Sequence, residues 1–287
     1  MSWKRQFFLL VLSLFMTVAV CVPQAGSGRL TILLTNDDGY DAPGLRALIE
    51  ALRPASDVIV AAPAVEQSGK GHSLILRDPI FVTEKKQTNG AMWYAIDASP
   101  ASCVRLAVEN LLPRRPALAI SGINRGENLG ATVYHSGTLG AAREAAIVGL
   151  PAIAVSIGGD ESKDYAAAAD FIRRLVDQLQ AKQMLKPGLF LNVNVPAGER
   201  KGVRVTRLSV KPRHDIFERR VSPSGRLYFW PAWKQLEDDE EGTDIWAFVR
   251  GFIAVTPMEL DVTAVQAIEG LREIISGISG TARMARN

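Results

Sequence analysis

Short apolar runs separated by helical spacings constrain this chain more than any other feature. Leu30–Thr35, Val58–Ala62, Trp93–Ile96, Leu118–Ser121, Ala152–Ser156 and Leu189–Val195 each span four to seven residues. Most lack the polar interruptions of a half-exposed strand, so they read as strands buried on both faces. Between them the period changes. Leu45, Leu48, Ile49 and Leu52 follow Pro43, which a first helical turn accepts. Ser99-Pro100 opens a helix carrying Cys103, Leu106 and Leu111 on one face. Ser136–Val148 is a helix stopped by Gly149 and Pro151, and Ile172, Leu175, Val176 and Leu179 mark a long one. Apolar strands alternating with helices predict an α/β fold with a mostly parallel sheet covered on both faces.

Beyond about residue 200 the pattern loosens. Val203–Leu208 and Phe252–Thr256 remain strand-like. The polar stretch between them, about 211–250, carries Trp230, Trp233 and Trp246 and reads as an extended arm or hairpin, too polar for a core of its own. Such an arm packs economically on a second copy of the chain. Val265, Ile268, Leu271 and Ile275 predict a final helix, with a frayed tail after Gly277. At the other end Lys4 and Arg5 precede Phe7–Val20, 14 residues without a charge, and then small residues. This is the pattern of a secretory signal, shorter than a membrane span. It predicts a leader at 1–25 and an exported, periplasmic or secreted product; a non-functional leader would leave it cytoplasmic. The expected divisions are then a core over 30–200, strands, arm and final helix over 201–277, and a tail over 278–287.

Composition narrows the function. A net charge of +3 argues against a partner such as a nucleic-acid duplex. Two cysteines and three histidines argue against a disulfide framework, a cysteine-rich zinc module or a His-rich metal site. No Gly-x-Gly-x-x-Gly follows the first strand, and neither a P-loop nor a Gly-x-Ser-x-Gly elbow occurs.

Ligands of open α/β sheets bind beyond the carboxyl ends of the strands. The first strand delivers Asp37 and Asp38, the second leads to Ser68, and the fourth delivers Asn124 and then Asn128. Adjacent carboxylates with a hydroxyl and an amide suit a hard divalent cation; Asp-Asp-Gly is equally ordinary turn chemistry. Ser136, Gly137 and Thr138 offer free amides and hydroxyls to an anion at a helix start, or Ser136 is a plain N-cap. Asn124 and Asn128 could also simply brace a Gly-rich loop, and Ser68 carries the least information alone. His135 lies beside the helix start; His72 and His214 have less to recommend them. The acidic run Glu237–Glu241 reads as a solvated loop.

Taken in order, these segments resemble the SurE survival-protein family of metal-dependent nucleotidases and acid phosphatases. The matching pieces are Ile32–Gly44 with Asn36-Asp37-Asp38-Gly39, then Gln67-Ser68-Gly69, Ser121–Gly130, and Tyr134–Thr138. Leu191–Pro196, Glu241–Asp244 and Val255-Thr256-Pro257 follow. The resemblance covers nearly everything after the leader. It implies a Rossmann-like three-layer sandwich with a C-terminal extended arm exchanged between subunits of a homodimer or homotetramer. It implies one divalent metal ion (Mg, Mn or Ca) on Asp37, Asp38, Ser68 and Asn124, and a phosphate pocket lined by Asn128, Ser136, Gly137 and Thr138. The expected activity is hydrolysis of nucleoside monophosphates, 5′ and also 3′. A broad acid phosphatase or exopolyphosphatase, and a non-catalytic exported binder of phosphorylated ligands, stay open. So does the choice between water and an aspartate as nucleophile.

Overall fold

The computed structural model describes residues 29–159, 165–211, 216–232 and 236–284, with side chains as far as 278. The expected leader, His214 and Trp233 lie outside the described residues. No described helix is long and apolar enough to cross a membrane.

The apolar runs form a nine-stranded sheet. Its strands are β1 (Leu30–Thr35), β2 (Ser56–Pro63), β3 (Val82–Lys86), β4 (Met92–Ile96), β5 (Leu118–Arg125), β6 (Ala152–Ile157), β7 (Phe190–Val195), β8 (Val203–Val205) and β11 (Ile253–Pro257), in the spatial order β3-β4-β2-β1-β5-β6-β7-β11-β8. Pairing is parallel from β4 to β7; β3 against β4 and β11 against β7 are antiparallel. Edge strand β3, Val-Thr-Glu-Lys-Lys, is mostly exposed and lacks the apolar run that marks the other strands in sequence. Its lysines suit an edge, where charge discourages further pairing.

Helices cover both faces. On one, α1 (Pro43–Leu52) and α4 (Tyr165–Ala181) bury Leu45, Leu48, Leu52, Ile172, Val176 and Leu179 against β-strand residues such as Ile32, Leu34, Ile120 and Val193. On the other, α2 (Pro100–Leu106) and α3 (Gly137–Ile147) bury Cys103, Val104, Leu139 and Ala145 over Leu33, Ala119 and Ala154. Alternate strand residues thus feed opposite cores, which is why the strands read as continuously apolar. The expected helix from Pro100 changes character at its end: Ala107–Leu111 is a π-helical turn in which the Leu112 N–H reaches back to the Ala107 carbonyl at 3.0 Å.

The polar stretch after 211 divides in two. Strands β9 (Ile216–Val221) and β10 (Leu227–Ala232) form a two-stranded antiparallel hairpin apart from the main sheet. Trp246, expected in that arm, instead lies on a short helix, α5 (Asp244–Val249), capped by Thr243 and stacked on Phe252 with ring centroids 6.2 Å apart. The final helix, α6 (Ile268–Met284), continues well past Gly277, where fraying was expected.

Candidate active site

The connectivity reverses at β1: β2 and β4 lie to one side of it, and β5, β6 and β7 to the other. Such a switch point opens a crevice at the carboxyl ends of the two central strands. Thr35, the end of β1, is the register partner of Ser121 in β5. The segments that follow these two residues, Asn36–Gly39 and Gly122–Gly130, are therefore adjacent walls of that crevice.

Asp37 is buried and meets the start of α3. The Thr138 hydroxyl donates to Asp37 Oδ1 at 2.5 Å. Gly137 lies so close that a Cβ there would stand 2.8 Å from both Cβ and Oδ2 of Asp37, so only glycine fits. Burial pushes the Asp37 carboxyl up to about 6; the Thr138 hydrogen bond opposes this and the charge of Asp38 adds to it. Asp38 is less enclosed and accepts the Arg125 backbone N–H on Oδ2 at 3.2 Å. Burial raises its pKa as well, against the Arg125 N–H, with Glu66 adding repulsion. Ser136 caps α3 by accepting the Leu139 N–H at 3.1 Å. The helix start, expected to face phosphate, thus first meets an aspartate, which its dipole favours as an anion.

The other expected residues fall around this pair. Asn124 is the penultimate residue of β5, and its Nδ2 donates to the Gly126 carbonyl at 2.7 Å, so its Oδ1 is the atom that could meet a cation. Ser68 is exposed and donates to Glu66 Oε1 at 2.9 Å; its loop reaches the acidic pair through the Gln67 N–H, which donates to the Asp37 carbonyl at 2.7 Å. Asn128 is buried, with its Nδ2 donated to Ser156 Oγ at 2.8 Å. Its N–H goes to Asn194 Oδ1 at 2.7 Å, and its carbonyl accepts from Asn192 and Asn194. Its backbone and one amide hydrogen are thus tied to β6 and β7. His135 is exposed and joins the loop through its backbone, its N–H donating to the Thr132 carbonyl and its carbonyl accepting the Gly71 N–H, both at 3.0 Å.

Glu144 carried no recognisable signal in sequence, and Asn192 and Asn194, though inside the matching piece Leu191–Pro196, were given no role there. Glu144, buried on α3, bridges His72 Nε2 at 2.7 Å and Arg105 Nε at 2.5 Å, so that the loop after Ser68 is tied along α3. Hydrogen bonds from His72 and Arg105 outweigh burial and hold its carboxyl below the ordinary value. Asn192 and Asn194, two residues apart in β7, clamp Asn128. Both groups rest on contacts between residues far apart in sequence.

The donor set fits a hard cation. Among the described residues no cluster of three His, Cys, Asp or Glu side chains could hold a metal ion, so a cation here would rest on two carboxylates completed by neutral oxygens. Asp37, Asp38 and Asn124 offer oxygens only, which suits Mg²⁺, Mn²⁺ or Ca²⁺ over thiophilic metals. Buried oxygens without a hydrogen-bond partner, Thr35 Oγ1, Asn36 Oδ1 and Ser121 Oγ, also gather at these strand ends.

The raised Asp37 pKa sets a pH dependence. Between the unfolded value near 3.8 and the folded value of about 6, the folded state keeps the proton that the unfolded state has lost. Stability therefore falls as pH rises through that window, by roughly 3 kcal/mol for a shift of about two units, and levels off above it. Thermal melts in chelator from pH 4 to 7 should show this decline in the wild type but not in Asp37→Asn. Taking the difference between the two cancels the opposite trend from Glu144. Parallel curves would contradict the assignment.

Comparison with known proteins adds a separate line. Residues 32–215 match the family described as Survival protein SurE. The 5'-nucleotidase SurE of Desulfitobacterium hafniense is 42% identical over 249 residues, covering 85% of this chain and 97% of its own. The 5'-nucleotidase SurE 1 of Thermus thermophilus is 41% identical over 256 residues, covering 87% and 100%. The crystal structure of the SurE protein from Aquifex aeolicus superposes with a TM-score of 0.72 at 35% identity, covering 85% of this chain and 99% of that one.

Proposed function

The chain belongs to the SurE family, and from that premise we infer that it is a phosphoric monoester hydrolase releasing phosphate from nucleoside monophosphates. The observation that carries this reading beyond the family is the bond from Thr138 to Asp37, which joins the acidic pair at the switch point to a helix start. A phosphomonoester needs both features: a place for a cation and donors for its oxygens.

We assign the cation to Asp37, Asp38 and Asn124, with Ser68 completing the set from its loop. A divalent ion bound there would neutralise phosphoryl charge and lower the pKa of a coordinated water. The chain supplies the rest. Thr138 fixes one Asp37 oxygen, and the Arg125 N–H fixes one of Asp38. The Gly137 N–H, at the positive end of α3, is assigned to a phosphate oxygen. Asn128, its amide committed to Ser156, shapes the phosphate pocket through the loop. The decisive assay is phosphate release from 5′- and 3′-nucleotides, a simple phosphomonoester and polyphosphate, each with Mg²⁺, Mn²⁺, Ca²⁺ or chelator. The reading expects 5′-nucleotide turnover that chelation abolishes. Metal-dependent nucleotide binding without phosphate release would replace it with a binder.

The oligomer belongs to the same proposal. The β9–β10 hairpin exposes Phe217, Leu227, Phe229 and Trp230, and α6 exposes Leu271, Ile274 and Ile278. Exposed large apolar side chains gathered on two elements mark association, and a homodimer or homotetramer would cover them. Light scattering at micromolar concentration should give at least a dimer mass; a monomer would contradict the assignment.

A further inference from the structure

Asp244 is buried, and the chemistry above makes no use of its carboxylate. Its Oδ2 accepts the Gly130 N–H at 2.8 Å, while its Oδ1 accepts the N–H groups of Ser209 at 2.8 Å and Ile245 at 2.9 Å. These three donors come from different places. Gly130 closes the loop that carries Asn124 and Asn128. Ser209 lies where the chain leaves the sheet toward the β9–β10 hairpin, and Ile245 is in the first turn of α5, where the chain has returned from it.

The surroundings repeat this connection. Ser209 Oγ donates to Asp239, the Arg207 N–H donates to the Gly242 carbonyl at 3.0 Å, and the Asp244 N–H donates to the Arg207 carbonyl at 2.9 Å. Both ends of the hairpin therefore meet at one carboxylate, whose other oxygen holds the active-site loop. Gly130 stands against Ser209 closely enough that a Cβ would lie 3.2 Å from Ser209 Cβ, with a backbone φ of +52°. A buried carboxylate bonded by backbone N–H groups costs least when every oxygen is satisfied, and it then fixes those backbones rigidly.

We propose that Asp244 is a positioning residue for the active site, holding loop 126–130 against the two ends of the hairpin and thereby setting Asn124. The link to Asn124 is short, because its Nδ2 is anchored on the carbonyls of Arg125 and Gly126 at 3.3 and 2.7 Å. The inference rests on the metal reading given above.

Asp244→Asn separates the two jobs. The amide oxygen keeps the pair of N–H groups from Ser209 and Ile245, and the amide nitrogen then opposes the Gly130 N–H, donor against donor. The loop is released while the helix and hairpin ends stay bonded. In the full chain, Mn²⁺ affinity measured by calorimetry should weaken by about 10–100-fold, the range for partners that orient metal ligands, with near-native circular dichroism. Amide hydrogen exchange over residues 126–130 should speed up. Gly130→Ala, which pushes the same loop away with the carboxylate intact, should reproduce both effects and decides the matter if Asp244→Asn does not fold. A purely structural Asp244 would lower the melting temperature and leave Mn²⁺ affinity unchanged in folded protein, and that result overturns the proposal. Wild type and Asp38→Asn in the same titration keep the two readings apart. If wild type binds no Mn²⁺, the metal reading fails; if it binds and Asp38→Asn does not, wild-type affinity in either loop variant sinks the positioning role alone.

Discussion

Asp38→Asn should lower metal-dependent phosphate release by about 10³-fold or more while melting close to wild type. The size follows from the task assigned to the carboxylate. A cation that polarises a phosphoryl group supplies several kcal/mol of transition-state stabilisation, and each 1.36 kcal/mol is about tenfold in rate. The fold should tolerate the change because Asp38 is only partly enclosed and its partner is the Arg125 N–H, which an amide oxygen also accepts. Burial and Glu66 both disfavour its charge, so removing that charge relieves the apo protein. Phosphate release and Mn²⁺ affinity are to be measured together. Loss of both places Asp38 on the cation; full activity at saturating metal would remove it from the site.

The parts of this molecule legible in sequence are those whose physics is local. The continuous run Leu30–Thr35 announces a strand covered on both faces, and residues such as Leu33 and Leu34 do enter opposite cores. Ser136 before a helical pattern announces a cap, and it caps. Asp37 and Asp38 are placed at the end of β1 by the strand run alone, although the pair by itself reads equally well as a turn. The missed features depend on tertiary contacts. Strand β3 is held by backbone pairing with β4 and needs no apolar side chains. Helix α5 hid behind an acidic run, with Thr243 as its only local sign. The commitment of Thr138 to Asp37, of Asn128 to Ser156, Asn192 and Asn194, and of Glu144 to His72 and Arg105 appears only once the strands are ordered. The resemblance assigns Thr138 and Asn128 to phosphate, while residue type left Asn128 open as a brace of its loop; the Thr138 hydroxyl bonds the Asp37 carboxylate, and Asn128 Nδ2 bonds Ser156.

That difference makes Thr138→Ala the sharper test of the helix start. The hydroxyl donates to Asp37 Oδ1, and of the influences that lower the Asp37 pKa this bond is the largest. Without it the buried carboxyl rises further above about 6, and the anion loses a fixed orientation. Losing a partner that orients a metal ligand typically costs about 10–100-fold in metal affinity or activity. The loss should be uneven in pH. The acidic limb of the rate profile, where protonation of Asp37 competes with the cation, should move upward, so that Thr138→Ala is more impaired at the acid end of the range than well above it, where Asp37 is ionised in both proteins. Thr138→Ser restores the hydroxyl and should return the limb toward wild type, whereas Asp37→Asn should lose metal affinity and turnover at every pH. If Thr138 serves only the helix, its replacement costs stability of about 1 kcal/mol and moves neither rate nor limb. Steady-state rates from pH 5 to 9 for the three variants, at one fixed metal concentration, distinguish these outcomes. An unmoved limb with wild-type turnover in Thr138→Ala would reject the coupling of the helix start to Asp37.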